Sequence, residues 1–139
     1  MAETRAPVQR PISPHLSIYK PMLTMMMSIV HRATGMALYF GTALLVWWLV
    51  AAASGSNAYA KVAWFMSSAI GQVILFGYTW ALIHHMLGGI RHLIWDTGAG
   101  LDLESVDILS WGSLALSVLL TIGLWLYIAA ERGWMVPWR

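Results

Sequence analysis

Two clusters of ionisable and hydroxyl side chains interrupt an otherwise apolar sequence, and each has a spacing that suits a particular chemistry. In His84-His85-Met-Leu-Gly-Gly-Ile-Arg91-His92, His85 and His92 are separated by two helical turns, roughly 10 Å along one face. Imidazole nitrogen is an axial ligand for heme iron, but one iron cannot take both of these side chains. Axial bonds of about 2 Å on opposite porphyrin faces put the two nitrogens only about 4 Å apart. A heme held by His85 therefore needs its second ligand from another helix. Gly88 and Gly89, at i+3 and i+4 from His85, clear volume where a flat macrocycle would approach, or else serve close helix packing while His85 bonds to a neighbouring backbone. His84 points about 100° away from His85 and reads as a packing or partner-contact residue. The cluster continues into Arg91, His92 and Asp96, which approach the membrane edge and could meet propionates, a quinone or a soluble partner.

The second cluster is Ser28, His31 and Arg32, at i, i+3 and i+4, with Thr24 one turn earlier and Gly35 one turn later on the same stripe. A hydroxyl beside a guanidinium can donate hydrogen bonds to a quinone carbonyl, and an arginine can also form a two-pronged bond with a heme propionate. The competing reading is an interfacial arginine snorkelling to headgroups beside a capping serine. Ionisable groups within or at the edge of a span are costly unless partnered, so each is a candidate for function.

The elements that position these clusters follow from composition. Of 139 residues, 59% are apolar and 10% charged, a balance unsuited to a water-soluble domain. Three runs without Asp, Glu, Lys or Arg, residues 33–60, 62–90 and 108–130, reach the roughly 20 residues needed to cross a hydrocarbon core. Barrel strands would be about ten residues long and alternate in polarity, so these continuous runs predict an all-α membrane protein. Three transmembrane helices are expected, over about 24–53, 62–95 and 108–131, as one membrane-anchor domain covering 1–139 with an N-terminal arm over about 1–21.

The arm carries Arg5, Arg10 and Lys20, with Arg32 at the start of the first span, while Pro7, Pro11, Pro14 and Pro21 keep most of it out of helix. The basic residues put the N-terminus inside, and both polar clusters with it. Trp95 and Trp111 then mark the inner interface, and Trp47, Trp48, Trp64, Trp134 and Trp138 the outer one. The arm lacks a signal peptide's apolar core and reads as a retained cytoplasmic segment. With no cysteine, the chain has no ligand for an iron–sulfur cluster, so a redox cofactor must use histidine. A net charge of +2 without a dense basic run gives no footprint for nucleic acid.

The two clusters sit in longer motifs. Arg10-Pro-Ile-Ser-Pro-His-Leu-Ser-Ile-Tyr19, followed by Leu23-Thr24 and Ser28-Ile-Val-His31-Arg32-Ala-Thr-Gly35, closely resembles the cytochrome b556 subunits of succinate dehydrogenase. His85-Met-Leu-Gly-Gly-Ile-Arg91-His92-Leu-Ile-Trp-Asp96 looks like the second-helix signature of the same family, and the two motifs together cover the chain from about Arg10 to Leu101. The third span matches only in position and apolar character.

The resemblance implies the larger anchor of a succinate:quinone oxidoreductase, one half of a heterodimeric helical anchor bundle in the bacterial inner membrane, or the mitochondrial one if eukaryotic. It implies heme b shared with a smaller anchor subunit, with His85 as the axial ligand from this chain, and ubiquinone as substrate at a pocket lined by Ser28 and Arg32. His31 matches a residue beside the heme propionates. Arg91 and His92 belong to the same pocket, and Asp96 is a candidate proton relay. Implied partners are a flavoprotein subunit, an iron–sulfur subunit, the smaller anchor and membrane lipid. Electrons from succinate would reach the quinone, linking the tricarboxylic acid cycle to the respiratory chain, while this chain itself does not touch succinate. The alternatives are an anchor of a quinol:fumarate reductase and a heme-free structural membrane subunit.

Overall fold

The structure is a computed structural model that describes residues 19–132. The arm expected over about 1–21 therefore lies outside the described residues except at its last three positions, as do His15, Trp134 and Trp138.

Pro21 is the last proline before Pro137, so nothing interrupts helical hydrogen bonding by removing a backbone donor between them. Helix α1 starts two residues beyond it, with Met22 extended at its cap, and runs over Leu23–Ser54. It is followed by α2 over Ser56–Ser67, α3 over Ala69–Asp96 and α4 over Leu103–Arg132. At 32, 28 and 30 residues, α1, α3 and α4 measure roughly 48, 42 and 45 Å, each long enough to cross a bilayer core of about 30 Å. Helix α1 ends at Gly55, whose φ of 105° lies in the region that side chains disfavour. The α3–α4 turn uses Gly98 and Gly100 at φ 81° and 67°. Trp95 Nε1 donates to the Gly100 carbonyl at 3.0 Å, pinning that turn to the end of α3.

The three expected spans are present, but the second differs in extent. The run expected as one span over about 62–95 is divided at Ser68 into α2 and α3. Ser68 is extended, its hydroxyl accepts from Gly71 N at 3.1 Å as an N-cap, and it donates to Phe65 O at 2.6 Å. Gln72 Nε2 donates to Met66 O at 2.7 Å, satisfying a carbonyl freed by the break. Gly71 has the Phe65 carbonyl and the Met66 backbone where a Cβ would stand. Side-chain capping and a glycine contact therefore end a helix that hydropathy alone would continue. The third span starts at Leu103, five residues ahead of the apolar run that predicts it.

Helix α3 is central and packs against α1, α2 and α4, while α1 also touches α2 and α4. Burial is inverted relative to a water-soluble bundle. The most completely buried large side chains include His84, Thr121, Ser110 and Ser117, whereas leucines, isoleucines and aromatics such as Tyr39, Phe40, Trp64 and Leu119 face outward. That pattern suits hydrocarbon surroundings, where helix contact is made by small and hydrogen-bonding groups rather than by excluding water. An apolar cluster of Ala51, Val62 and Met66 joins α1 to α2. One end of the bundle therefore holds the start of α1, the end of α3 and the start of α4, and α2 occupies the other.

Candidate functional site

The histidines meet where α1 crosses α3. Each helix presents one histidine to a glycine of the other: His31 of α1 occupies the place of a Cβ on Gly88, and a Cβ on Gly35 would lie 3.0 Å from Cε1 and 3.8 Å from Nε2 of His85. Because both glycines yield to a ring, the two imidazoles stack, with centroids 4.0 Å apart and planes within 1° of parallel. Of the two readings of the glycine pair, Gly88 follows close helix packing, since it receives His31 and not a macrocycle. Gly89 alone is left open, with nothing within 4 Å of an added Cβ.

The protonation of His85 follows from its partners. Its Nδ1 is 3.1 Å from the His31 carbonyl oxygen and 3.3 Å from Thr34 Oγ1, and the Thr34 hydroxyl donates to the same carbonyl at 2.9 Å. A carbonyl only accepts, so Nδ1 carries the proton and Nε2 keeps its lone pair, the tautomer a metal ligand requires. Nε2 has no hydrogen bond among the described residues, and a side chain at position 35 would press on the neighbouring Cε1 of the ring. The donor set therefore fits heme iron. Among the described residues no three His, Asp or Glu side chains gather into a metal site, and a porphyrin, which brings four nitrogens of its own, asks this chain for only one.

From His85 a ring column leads toward the end of α3. His31 lies 5.4 Å from His92, and His92 lies 5.3 Å from Trp95. His31 Nδ1 is buried without a hydrogen-bond partner. His92 and Asp96 are exposed, so they can reach solvent or another chain. Ser28 and Arg32 are exposed as well, on the flank of α1 beside His31.

Arg91 goes elsewhere. Its side chain turns away from the histidine column and into the α3–α4 contact, where it is 4% exposed. It donates to Ser110 Oγ at 3.2 Å and Ser113 Oγ at 3.4 Å, its Cζ lies 5.1 Å over the Trp95 ring, and Nε is buried without a partner. His84 is also committed to α4. It is 1% exposed, 3.1 Å from Ser117 Oγ through Nδ1, and stacked on Trp80. His84 is thus a packing residue within the chain. Two polar groups escape the sequence reading: Thr34, and the hydroxyl ladder Ser110, Ser113, Ser117 and Thr121, all buried on α4. The ladder's steps of three, four and four residues are the signal of one helix face.

The chain is similar to known proteins over most of its length. Residues 6–124 match the family described as succinate dehydrogenase/fumarate reductase transmembrane subunit. The chain is 42% identical over 117 residues to the succinate dehydrogenase cytochrome b556 subunit of Rickettsia prowazekii (strain Madrid E), covering 84% of this chain and 91% of that one. It is 44% identical over 113 residues to the protein of the same name from Paracoccus denitrificans, covering 81% and 87%. It is 39% identical over 119 residues to the mitochondrial succinate dehydrogenase cytochrome b560 subunit of Sus scrofa, covering 83% and 69%.

Proposed function

The chain belongs to the succinate dehydrogenase/fumarate reductase transmembrane subunit family, and from that premise we propose that it is the larger cytochrome b anchor of a succinate:quinone oxidoreductase. It binds heme b through His85 and forms part of the quinone-reduction pocket. The observation that carries this reading is the contact of His85 Nδ1 with the His31 carbonyl oxygen at 3.1 Å, which commits Nδ1 as the donor and leaves Nε2 for a metal. Heme b, when bound, supplies a one-electron carrier beside the quinone. Any other protein ligand to that heme would have to come from the smaller anchor subunit.

His85 orients toward iron because its proton is held by the α1 backbone. His31 and His92 line the pocket, and Arg91 contributes its positive charge from the α4 side of Trp95. Ser28 and Arg32, exposed side by side on α1, donate hydrogen bonds to a quinone oxygen and stabilise the negative charge that develops there on reduction. Quinone reduction also consumes two protons. Asp96, exposed at the end of α3, relays them from the surface, so Asp96→Asn is expected to slow quinone reduction while leaving the heme spectrum unchanged.

The flavoprotein and iron–sulfur subunits dock at the end holding Asp96, on the cytoplasmic side, with the N-terminus inside a bacterial inner membrane. The test is the dithionite-reduced minus oxidised spectrum of the detergent-purified complex, co-expressed with its neighbouring subunits. A b-type band that is kept in His84→Ala and lost or altered in His85→Ala is expected. A wild-type complex without that band would overturn the reading in favour of a heme-free structural subunit.

A further inference from the structure

We infer that Thr34 is a positioning residue for the heme-ligating histidine: its hydroxyl and the His31 carbonyl together hold the proton of His85 Nδ1 and so set how strongly Nε2 donates to iron. The inference rests on His85 being the axial ligand. Thr34 is 3% exposed, within the contact between α1 and α3. Its hydroxyl hydrogen goes to the His31 carbonyl three residues earlier, at 2.9 Å, a choice open to any helical threonine.

What is particular to this site is where the rest of the hydroxyl faces. With its hydrogen committed, Oγ1 turns a lone pair toward His85 Nδ1 at 3.3 Å, while the His31 oxygen stands 3.1 Å from the same nitrogen. The imidazole N–H is shared between two acceptors that are themselves tied together, and the carbonyl's two lone pairs serve both donors. Three groups thus close a small network that spans two helices.

Partners of a ligand's remote nitrogen fix its ring orientation and raise its basicity, and a more basic imidazole favours the oxidised iron. Removing Oγ1 leaves the carbonyl as the only acceptor, weakens the hold on the proton and shifts the balance toward reduced iron. With loss of the second acceptor outweighing release of the carbonyl from the Thr34 hydroxyl, the heme midpoint potential is expected to rise.

The experiment compares wild type, Thr34→Val, Thr34→Ser and His85→Ala in the co-expressed, purified complex, by redox titration of the b-type band and by electron paramagnetic resonance of the ferric heme. Thr34→Val keeps the volume and loses the hydroxyl, so it is expected to retain the band, with a raised midpoint potential and shifted ferric g-values. Thr34→Ser restores the hydroxyl and is expected to return both to wild-type values. If Thr34→Val is not recovered, Thr34→Ala, which also lacks the hydroxyl, is read against the same outcomes. A hydroxyl-free variant with wild-type potential and g-values overturns the inference while His85→Ala still loses the band. A normal heme in His85→Ala instead overturns the ligand assignment, and the inference with it.

Discussion

The rings of His31 and His85 lie 4.0 Å apart and within 1° of parallel, although the two residues stand 54 positions apart in the chain. The stack is possible because each ring replaces a missing side chain on the opposite helix. It fixes the register of α1 against α3 at the level of His85, so the packing of these two helices and the aim of that ring are one structural property.

Gly88→Ala separates that property from the ligand itself. A methyl group on Gly88 would enter the His31 ring, and overpacking of this kind costs about 1–3 kcal/mol. The expected outcome is a complex that loses activity at lower temperature and whose b-type band is shifted although His85 is present. An unchanged melting profile and spectrum would mean that His31 does not occupy that place in the assembled complex.

His84 and Ser117 are predicted to matter for stability and not for the heme. Ser117→Ala leaves the buried His84 Nδ1 without its partner, which costs about 1–3 kcal/mol. Thermal inactivation of the solubilised complex should come earlier, and the heme spectrum should match wild type.

Arg91 makes its side-chain hydrogen bonds to two hydroxyls of α4. Hydrogen bonds to a charged group contribute about 1.5–3 kcal/mol, so the pair Ser110→Ala and Ser113→Ala should destabilise the complex by at least that much. Replacing Arg91 by Met in the same background should recover part of the loss, because an unpaired buried cation is worse than none. A double-mutant cycle on denaturation midpoints measures the coupling; strictly additive losses would show that the serines do not hold the arginine.

Ser28 and Arg32 are predicted to act on the quinone alone. Losing a charged hydrogen bond worth about 1.5–3 kcal/mol corresponds to a rise in quinone KM of roughly 10- to 100-fold for Arg32→Leu. Ser28→Ala should have a smaller effect, and Arg32→Lys, which keeps charge without the planar fork, an intermediate one. Succinate oxidation measured with a soluble dye should be unchanged in all three, since it bypasses the membrane pocket.

What the sequence discloses and what it withholds divide along physical lines. Three spans are legible because hydrocarbon thickness demands continuous apolar length. The break at Ser68 is not, because hydropathy runs on through it. It depends on the single Ser68 hydroxyl capping both helix ends and on Gly71 admitting the Phe65 carbonyl. The spacing of His85 against Arg91-His92 singles out one histidine of the adjacent pair, yet the glycines beside it reveal only that something comes close. That Gly88 receives His31 is a fact about another helix. The direction of Arg91 fails for the same reason: one residue's rotation of about 100° separates it from His92, and which of those faces meets α4 is decided by packing. The α4 ladder is hidden by the length of the apolar run that contains it.

The seam between α3 and α4 also bears on how the protein is made. Helix α3 carries Arg91 and His84 into the bilayer, and the hydroxyls that partner them belong to a helix synthesised later. An unpartnered arginine within a span is costly to insert, by about 2.5–3.5 kcal/mol at a helix centre and less near its end. Arg91 lies five residues from the end of α3, with the buried His84 two turns deeper. During translation, α3 alone is a poor candidate for release into lipid, and it becomes an acceptable one once Ser110, Ser113 and Ser117 have emerged. Truncation before α4 should then leave a chain that is retained by the insertion machinery or degraded. The last helix, which carries none of the proposed site residues, is in this sense the licence for the one before it to reside in the membrane.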